Sequence, residues 1–192
     1  MLFEPKPVLK GTQIYLKKPK PTFEMADMLF HLIEQNRDYL LPWVEMADLD
    51  ITGSLEDTFL HLVNMTSKWF RQYAFEYLIF DNKTNQLIGL IGAYQPFPEH
   101  KSIEVGFWIS KNFTRQGKVC EALHLIETEF FFLEFERIVI RIDSNNHRAR
   151  HFTIKCGYQF EGTLRHAYWS NQLRAYRDLD IFAKLKNECK SM

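Results

Sequence analysis

The spacing of apolar and polar residues predicts a chain in which short strands and longer helices alternate. Residues 103–109, with the sequence IEVGFWI, and residues 137–143 are apolar-rich runs with the length and composition of buried strands. A polar loop follows the first run and leads into a predicted helix at 117–133. The second run leads in the same way into a predicted helix at about 146–156. Two strand–helix units in succession are typical of a mixed α/β sheet.

The first half of the chain predicts two helices and a β-hairpin. Thr22 and Ser54 each precede apolar residues at close to helical spacing, and each carries a side-chain oxygen that can cap a helix. Residues 73–80 and 86–94 are rich in β-forming residues and flank the turn-forming stretch 81–85, which predicts the hairpin. Three further strands are predicted at 13–16, near 158–166 and near 174–184.

These elements predict a single α/β domain in which a mixed and twisted sheet is flanked by about four helices. The chain has 192 residues, of which 46% are apolar and 15% aromatic, enough for a sizeable buried core. Prolines and a glycine mark the start of the sequence as a lead-in. We therefore expect an N-terminal arm at 1–11, a domain at 12–184 and a C-terminal tail at 185–192.

Charge and cysteine usage argue against several classes of protein. The 24 Lys and Arg residues balance the 24 Asp and Glu residues, so nothing global indicates a nucleic-acid binder or a membrane-surface binder. The three cysteines, Cys120, Cys156 and Cys189, are odd in number and far apart, which favours a reducing compartment over a disulfide framework. The sequence shows neither a signal peptide nor an apolar run long enough to span a membrane, so we expect a cytoplasmic protein.

The loop before the predicted helix at 117–133 has the features of a phosphate-binding site. Backbone N–H groups at the start of a helix have no partner within the helix, and the helix dipole adds positive potential there. Gly117 permits a close approach to the backbone or a positive φ, and Arg115 and Lys118 add charge. A single glycine is a weak motif, however, and the same residues also suit an ordinary loop with two solvated bases.

The order of motifs from Glu104 to Gly162 resembles the GNAT acetyltransferase superfamily, in particular the branch of ribosomal-protein N-terminal acetyltransferases. That branch typically carries a strand like EIGYWI, a loop like GKGxxTEA, and NxxS before a turn like GFxxEG. The corresponding segments here are EVGFWI at 104–109, QGKVCEA at 116–122, NHRA at 146–149 and GYQFEG at 157–162. The resemblance extends over roughly residues 12–184, and its strength lies in the order and spacing of the motifs.

This resemblance implies a fold of the acyl-CoA N-acyltransferase type, with acetyl-CoA as the cosubstrate. In the family, acetyl-CoA lies where two neighbouring parallel strands separate, its pantetheine arm pairs with the first strand, and its diphosphate sits on the loop. Asn146 would contact the arm near the thioester, and Arg150 would meet a phosphate of CoA. The residues assigned to acetyl-CoA in this way are Trp108, Ile109, Ser110, Thr114, Arg115, Gln116, Gly117, Lys118, Val119, Cys120, Asn146 and Arg150.

Two catalytic side chains of the branch are absent from this sequence. The family serine that can protonate the departing thiolate aligns with Ala149, and the proposed glutamate base aligns with Tyr168. The loop also departs from the family pattern at Thr114 and Val119. Because the strand of Glu104 faces the acetyl group in the family, Glu104 is the candidate base, and Tyr168 is the candidate donor to the thiolate. Each also suits a structural role, as a surface carboxylate and as a packed aromatic residue.

The resemblance implies direct transfer of an acetyl group from acetyl-CoA to a primary amine. The expected acceptor is an N-terminal α-amine of a protein or peptide, of the ribosomal-protein type. Three alternatives stay open: acetylation of a small-molecule amine, a non-catalytic CoA-binding sensor that has lost the usual Ser and Glu, and a structural interaction protein. No metal is predicted, because His147 and His151 have no evident third ligand. A homodimer is an expectation from the family alone.

Overall fold

An eight-stranded sheet forms the centre of the computed structural model, which describes residues 3–171 and 173–189. Its strands are β1 (Val8–Lys10), β2 (Ile14–Lys17), β3 (Ala74–Asp81), β4 (Leu87–Phe97), β5 (Ser102–Ile109), β6 (Arg137–Asp143), β7 (Gln159–Ser170) and β8 (Ala175–Leu185). They lie in the order β1-β2-β3-β4-β5-β6-β8-β7, and all neighbours are antiparallel except β5 and β6, which run parallel. The mixed sheet predicted from the sequence is confirmed.

Six α-helices accompany the sheet within the described residues, and the four longer ones are those that the sequence predicts. They are α1 (Phe23–Glu34), α2 (Arg37–Leu40), α3 (Leu49–Thr52), α4 (Leu55–Phe70), α5 (Lys118–Phe132) and α6 (His147–Lys155). The caps follow the prediction as well, since Thr22 and Ser54 each accept a backbone hydrogen bond in the first turn of α1 and α4. None of the helices in this part of the chain has the length and apolar character needed to cross a membrane.

The predicted N-terminal arm, residues 1–11, supplies the first strand of the sheet. β1 pairs with β2 from Val8↔Lys17 onwards, and the Tyr77 hydroxyl donates a hydrogen bond to the carbonyl of Lys6 at 2.8 Å. A run of three residues after a proline shows too little alternation to be recognised as a strand. The sheet therefore begins earlier in the chain than the sequence suggests.

Apolar side chains cover both faces of the sheet. On one face, Ile103 and Val105 of β5 pack in the same buried cluster as Phe130 of α5. On the other face, Trp108 of β5 packs in a second cluster with Leu62 of α4. Because side chains alternate across a strand, β5 contributes to both clusters, and this explains its nearly continuous apolar sequence.

β5 and β6 pair over a short distance and then separate. The two strands share three register pairs, of which Glu104↔Val139 is the last. Beyond that point β5 stays paired with β4 as far as Ile109, while β6 stays paired with β8 as far as Asp143. A wedge-shaped opening, called here the β5–β6 gap, therefore lies between the carboxyl ends of the two parallel strands.

A buried ion pair ties the start of α5 to the turn between β3 and β4. The Lys118 ammonium contacts Oδ1 of Asp81, and both side chains are buried. Asp81 also accepts hydrogen bonds from the N–H and the hydroxyl of Thr84, at 3.0 and 2.9 Å. The hydrogen bond from Lys118 is the main cause that lowers the pKa of Asp81 to about 2. The protein thus fixes the first residue of α5 with its own contacts.

We expect Asp81→Asn to lower the free energy of unfolding by about 2 kcal/mol, because it leaves the buried Lys118 ammonium without its counter-charge. Urea unfolding followed by circular dichroism at pH 7 measures the change. The double variant Asp81→Asn/Lys118→Met removes both charges and should recover most of the loss.

The same ion pair predicts a pH dependence. Because the folded-state pKa of Asp81 is depressed, its contribution is complete above the unfolded-state pKa of about 3.9 and is lost as the pH falls toward 2. The stability difference between wild type and Asp81→Asn should therefore shrink between pH 4 and pH 2. A difference that is absent at pH 7, or constant over this range, would contradict the assignment.

Candidate functional site

The start of α5 presents open backbone donors at the carboxyl end of β5. Gly117 is the N-cap residue, with a φ of 79°, and no side chain caps the helix. Among the described residues, none of the backbone N–H groups from 115 to 120 donates a hydrogen bond to another backbone group. Apart from the residues next to Gly117 in sequence, the one atom within 4 Å of a Cβ placed there would be Nε2 of Gln13, at 3.7 Å. This helix tip is therefore accessible to an anion, and its left-handed N-cap favours glycine.

The loop before the tip is held by short-range hydrogen bonds. Thr114 Oγ1 donates to the carbonyl of Lys111 at 2.9 Å, and Gln116 Nε2 donates to the carbonyl of Asn112 at 3.0 Å. Arg115 adopts a φ of 62° and exposes its side chain. The side chains of Thr114 and Gln116 thus shape the loop, while the Arg115 guanidinium remains in solvent beside the open N–H groups.

Lys118, Val119 and Cys120 reach the tip through their backbone N–H groups. The Lys118 ammonium is committed to Asp81, so it does not supply the phosphate charge that the sequence suggested. Val119 packs against the buried cluster beneath α5. Cys120 is exposed, and its Sγ lies 3.7 Å from Sγ of Cys156. For these three residues, the candidate contact with a diphosphate is the main chain.

Backbone groups of β5 line the gap at alternate residues. The N–H of Ser110 donates to the carbonyl of Ile88 in β4 at 2.8 Å. Successive residues of a strand direct their backbone groups to opposite neighbours, so Trp108 and Ser110 face β4, whereas Phe107 and Ile109 face the gap. Of the three residues assigned to the pantetheine arm, Ile109 is the one whose N–H and C=O groups point into the gap.

Two predicted residues lie on α6, at the other side of the gap. Asn146 caps this helix, because its Oδ1 accepts a hydrogen bond from the N–H of Ala149 at 3.1 Å. Nε of Arg150 lies 2.6 Å from Oδ2 of Asp180, a buried carboxylate of β8, although the two atoms are not aligned for a hydrogen bond. Arg150 is thus already paired through Nε, and a contact with a CoA phosphate would use its terminal nitrogens.

Glu104 lies at the last register pair before β5 and β6 separate. Its side chain is partly buried, and its Oε2 lies 2.7 Å from Nη2 of Arg141 in β6. Burial raises the pKa of Glu104, and the ion pair with Arg141 opposes this rise. A carboxylate with a raised pKa, at the inner end of an open gap, is suited to accept a proton from an amine.

Tyr168 of β7 is held by the carboxyl end of β6. Its hydroxyl donates to Oδ2 of Asp143 at 2.7 Å, and Nη2 of Arg177 lies 2.6 Å from Oδ1 of the same carboxylate. Burial is the main cause that raises the pKa of Tyr168, and the hydrogen bond to Asp143 adds to it. Tyr168 is therefore a weak acid whose proton is engaged with Asp143.

Three charged residues that hold the two candidate catalytic side chains, Arg141, Asp143 and Arg177, are not predicted from the sequence. Asp143 is a charged residue at the carboxyl end of a predicted buried strand. Ligand-binding residues often occupy this position in a sheet, so the sequence could have indicated it. Arg141 stands between Ile140 and Ile142, a pattern that is typical of a solvent-facing position, and Arg177 stands next to the charged Asp178. Nothing local in the sequence marks either arginine as an ion-pair partner.

A cluster of metal-binding residue types occurs elsewhere in the described part of the chain. The candidate ligand atoms of His124, Glu127 and Cys189 lie within 4.8 Å of one another. The Lys184 ammonium, however, lies 2.8 Å from Oε1 of Glu127 and already supplies the counter-charge of that carboxylate. A cation at this position would have to displace Lys184, so the cluster is assigned no metal.

The chemical character of the gap suits a long ligand with three different parts. The open N–H groups at the tip of α5 suit a diphosphate, and the outward-facing backbone of β5 suits a chain of amides. Glu104 lies at the inner end, where a reactive group at the end of such a ligand would arrive. Neither of the two arrangements that would block this site, a fully paired β5–β6 or a capped helix tip, is present in the described residues.

Comparisons with known proteins identify the family. The family model described as the acetyltransferase (GNAT) domain matches residues 14–159. The ribosomal-protein-serine acetyltransferase of Escherichia coli (strain K12) is 29% identical over 161 residues, which cover 82% of this chain and 85% of that protein. The match thus includes the loop, the gap and the start of α6.

Two solved structures have the same fold. The microcin C7 self-immunity acetyltransferase MccE, in complex with acetyl-CoA and AMP, has a TM-score of 0.82 at 20% identity and covers 91% of this chain and 93% of its own. The ribosomal L7/L12 alpha-N-protein acetyltransferase RimL, in complex with coenzyme A, has a TM-score of 0.81 at 22% identity. The match covers 93% of this chain and 97% of that one. They confirm the predicted fold of the acyl-CoA N-acyltransferase type. The chain belongs to the GNAT acetyltransferase family, and it is an N-acetyltransferase with acetyl-CoA as its cosubstrate.

Proposed function

We propose that this N-acetyltransferase transfers an acetyl group to the N-terminal α-amine of a protein or peptide, by direct attack of the amine in a ternary complex. The observation that carries the proposal is the β5–β6 gap, with the open tip of α5 at its mouth and Glu104 at its inner end. This geometry supports a path for acetyl-CoA from the tip to Glu104. Holding both substrates in one gap makes the attack effectively unimolecular.

In this proposal the two ends of acetyl-CoA are held by different kinds of contact. The diphosphate accepts hydrogen bonds from the N–H groups of residues 115–120, and Arg115 adds positive charge. An amide of the pantetheine arm pairs with the open backbone of Ile109. The amide nitrogen of Asn146, whose oxygen caps α6, supplies a donor from the other side. The remaining assigned residues form the strand and loop that shape this path: Trp108, Ser110, Thr114, Gln116, Gly117, Lys118, Val119 and Cys120.

The proposed chemistry needs a base more than it needs an acid. Glu104 takes a proton from the acceptor ammonium, the neutral nitrogen attacks the thioester carbonyl, and the C–S bond breaks as the N–C bond forms. The leaving group departs as the CoA thiolate and takes up the second proton that the nitrogen loses as the amide forms, so the proton taken by Glu104 is the one released overall. Tyr168 is the proposed donor to the developing charge on sulfur or oxygen, and to act in this way it turns its hydroxyl proton away from Asp143. No acyl-enzyme is required by this route.

The acceptor class is supported by the relatives and by one feature near Tyr168. The Escherichia coli relative is named for a ribosomal-protein serine, that is, a protein acceptor. Trp43 is 41% exposed, and the Arg177 guanidinium lies 5.9 Å from the centre of its ring. An exposed indole beside the residues that hold Tyr168 offers a contact for a polypeptide that extends away from its reacting amine.

Family membership argues against CoA binding without turnover, although two features of the site would fit it. Ala149 has no proton to give where the family carries a serine, and the proton of Tyr168 is engaged with Asp143. Both facts would be expected in a sensor that has lost catalysis. For an active enzyme, a small-molecule amine is the alternative acceptor, since the gap itself selects only for an amine that can reach the thioester.

We expect Gly117→Ala to weaken acetyl-CoA binding roughly fivefold, because a side chain at the left-handed N-cap strains the tip and crowds the close approach of the diphosphate. Isothermal titration calorimetry measures the dissociation constant. Gly157→Ala is the matched control, since Gly157 has a similar φ of 87° but lies beyond the end of α6. It should lose stability without losing affinity. Equal losses of affinity in the two variants would contradict the assignment of the tip.

We expect Glu104→Gln to lower kcat/KM by roughly a hundredfold or more, because it removes the base while keeping the side-chain shape. Tyr168→Phe should lower kcat about tenfold, the value of one hydrogen bond to a developing charge. Release of free CoA thiol, measured at saturating acetyl-CoA over a range of acceptor concentrations, gives kcat and kcat/KM for both variants. Rates within twofold of wild type in both variants would remove the two catalytic assignments.

One experiment separates the proposed function from its alternatives. Acetyl-CoA at about 100 Kd should raise the stability of the protein by roughly 2.7 kcal/mol in thermal unfolding. CoA release is then measured with peptides that carry free N-termini, with the same peptides blocked at the N-terminus, and with small primary amines. Turnover of the free peptides alone supports the proposal. A stability gain without any turnover supports the sensor, and turnover of the small amines alone supports the small-molecule alternative.

A further inference from the structure

An aromatic ring lies against the sheet backbone next to Glu104. Gly92 of β4 and Gly106 of β5 are register partners. A Cβ atom at Gly92 would lie 2.6 Å from both Cζ and Oη of Tyr94, and one at Gly106 would lie 3.3 Å from its Cε2. The ring of Tyr94 therefore covers both glycines, and a side chain at residue 92 would displace it. The paired glycines create the space that this ring occupies.

A buried carboxylate anchors the hydroxyl of Tyr94. The hydroxyl donates a hydrogen bond to Oε1 of Glu76 in β3 at 3.1 Å. Glu76 is 5% exposed, and its Oε2 has no hydrogen-bond partner among the described residues. Burial raises the pKa of Glu76, while the charge of Lys68 in α4 and the bond from Tyr94 oppose the rise. The ring is thus fixed at its hydroxyl end from the far side of β4.

Tyr94 and Glu104 are also register partners, so their side chains lie on the same face of the sheet. Gly106 follows Glu104 by two residues on that face, which brings the ring over Gly106 beside the Glu104 side chain. Arg141 contacts Glu104 from β6, on the side of the gap. Burial is the largest cause of the raised pKa of Glu104, and Arg141 acts in the opposite direction.

We propose that Tyr94 is a positioning residue for Glu104, which its ring shields from water on the side that faces β4. The inference rests on the proposed role of Glu104 as the base. Tyr94 acts through geometry: its ring lies over the two glycines with its hydroxyl bonded to Glu76, and so fills space on this side that water would otherwise occupy. A carboxylate that is solvated on fewer sides holds a proton more tightly and is a stronger base at neutral pH. On the side of the gap Arg141 contacts Oε2 of Glu104, and Oε1 is the oxygen left for the acceptor amine.

The test compares variants that remove the ring with variants that keep it. Tyr94→Ala admits water, and we expect the acid-side midpoint of kcat against pH to move down by about one pH unit. Tyr94→Phe keeps the ring, and Glu76→Gln keeps an acceptor for the Tyr94 hydroxyl. In both variants the acid-side midpoint should stay within about 0.3 pH unit of wild type. A ¹³C NMR titration of the Glu104 carboxyl, assigned through Glu104→Gln, reads the same shift in the resting protein without any turnover.

The outcomes separate this inference from the proposed function. Wild-type turnover in Glu104→Gln overturns the base, and with it the role of Tyr94. Loss of turnover in Glu104→Gln, together with an unchanged Glu104 titration in Tyr94→Ala, overturns the positioning role alone. Circular dichroism and acetyl-CoA affinity establish that Tyr94→Ala is folded. If it is not, Tyr94→Leu keeps an apolar side chain without a flat ring and should lower the Glu104 midpoint by at least about 0.5 pH unit. A smaller shift in that variant overturns the inference.

Discussion

The separation of β5 from β6 is the constraint on which the rest of the site depends. Each strand stays paired on its outer side, β5 with β4 and β6 with β8, and the natural twist of the sheet turns the two halves apart. The N–H and C=O groups of Ile109, which face the gap, must then bond to water or to a ligand, since buried polar groups are rarely left unpaired. A ligand that carries its own amides can replace that water at little net cost. Phe152 of α6 packs edge-on against Phe107 of β5, with ring centres 5.2 Å apart, which keeps α6 beside the opening.

Charges around the gap are mostly paired before any ligand arrives. Glu104 contacts Arg141, Asp143 contacts Arg177, and Asp180 contacts Arg150 of α6, so a carboxylate in each of the strands β5, β6 and β8 has a guanidinium partner. The tip of α5 differs, because Lys118 is withdrawn to Asp81 and the tip offers main-chain N–H groups with the exposed Arg115 beside them. In the proposed complex a diphosphate would meet dipoles that the fold has already oriented, without a large rearrangement of these groups.

The sequence predicted the long elements well because their signals are local. The cap at Ser54, the spacing in α4 and the apolar run of β5 each lie within a few residues of the element that they specify. The ion pairs of the site are different in kind. Asp81 and Lys118 are 37 positions apart, and Tyr168 and Asp143 are 25 apart, so only the folded sheet brings them together. The same reason explains why the glycine-led start of α5 could be predicted from neighbouring residues, whereas the pairing of Lys118 with Asp81 could not.

The absence of the family serine at Ala149 matters less than the absence of a base would. A thiol has a reference pKa of about 8.5, so a CoA thiolate that departs unprotonated at pH 7 costs about 2 kcal/mol relative to the thiol. Water can deliver that proton after the C–S bond has broken. The acceptor, by contrast, cannot attack until its ammonium has lost a proton, and no lone pair exists before that step. Under the proposed mechanism, turnover therefore depends more heavily on Glu104 than on residue 149. Arg141 contacts the Glu104 carboxylate from β6, and Tyr94 is the register partner of Glu104 in β4.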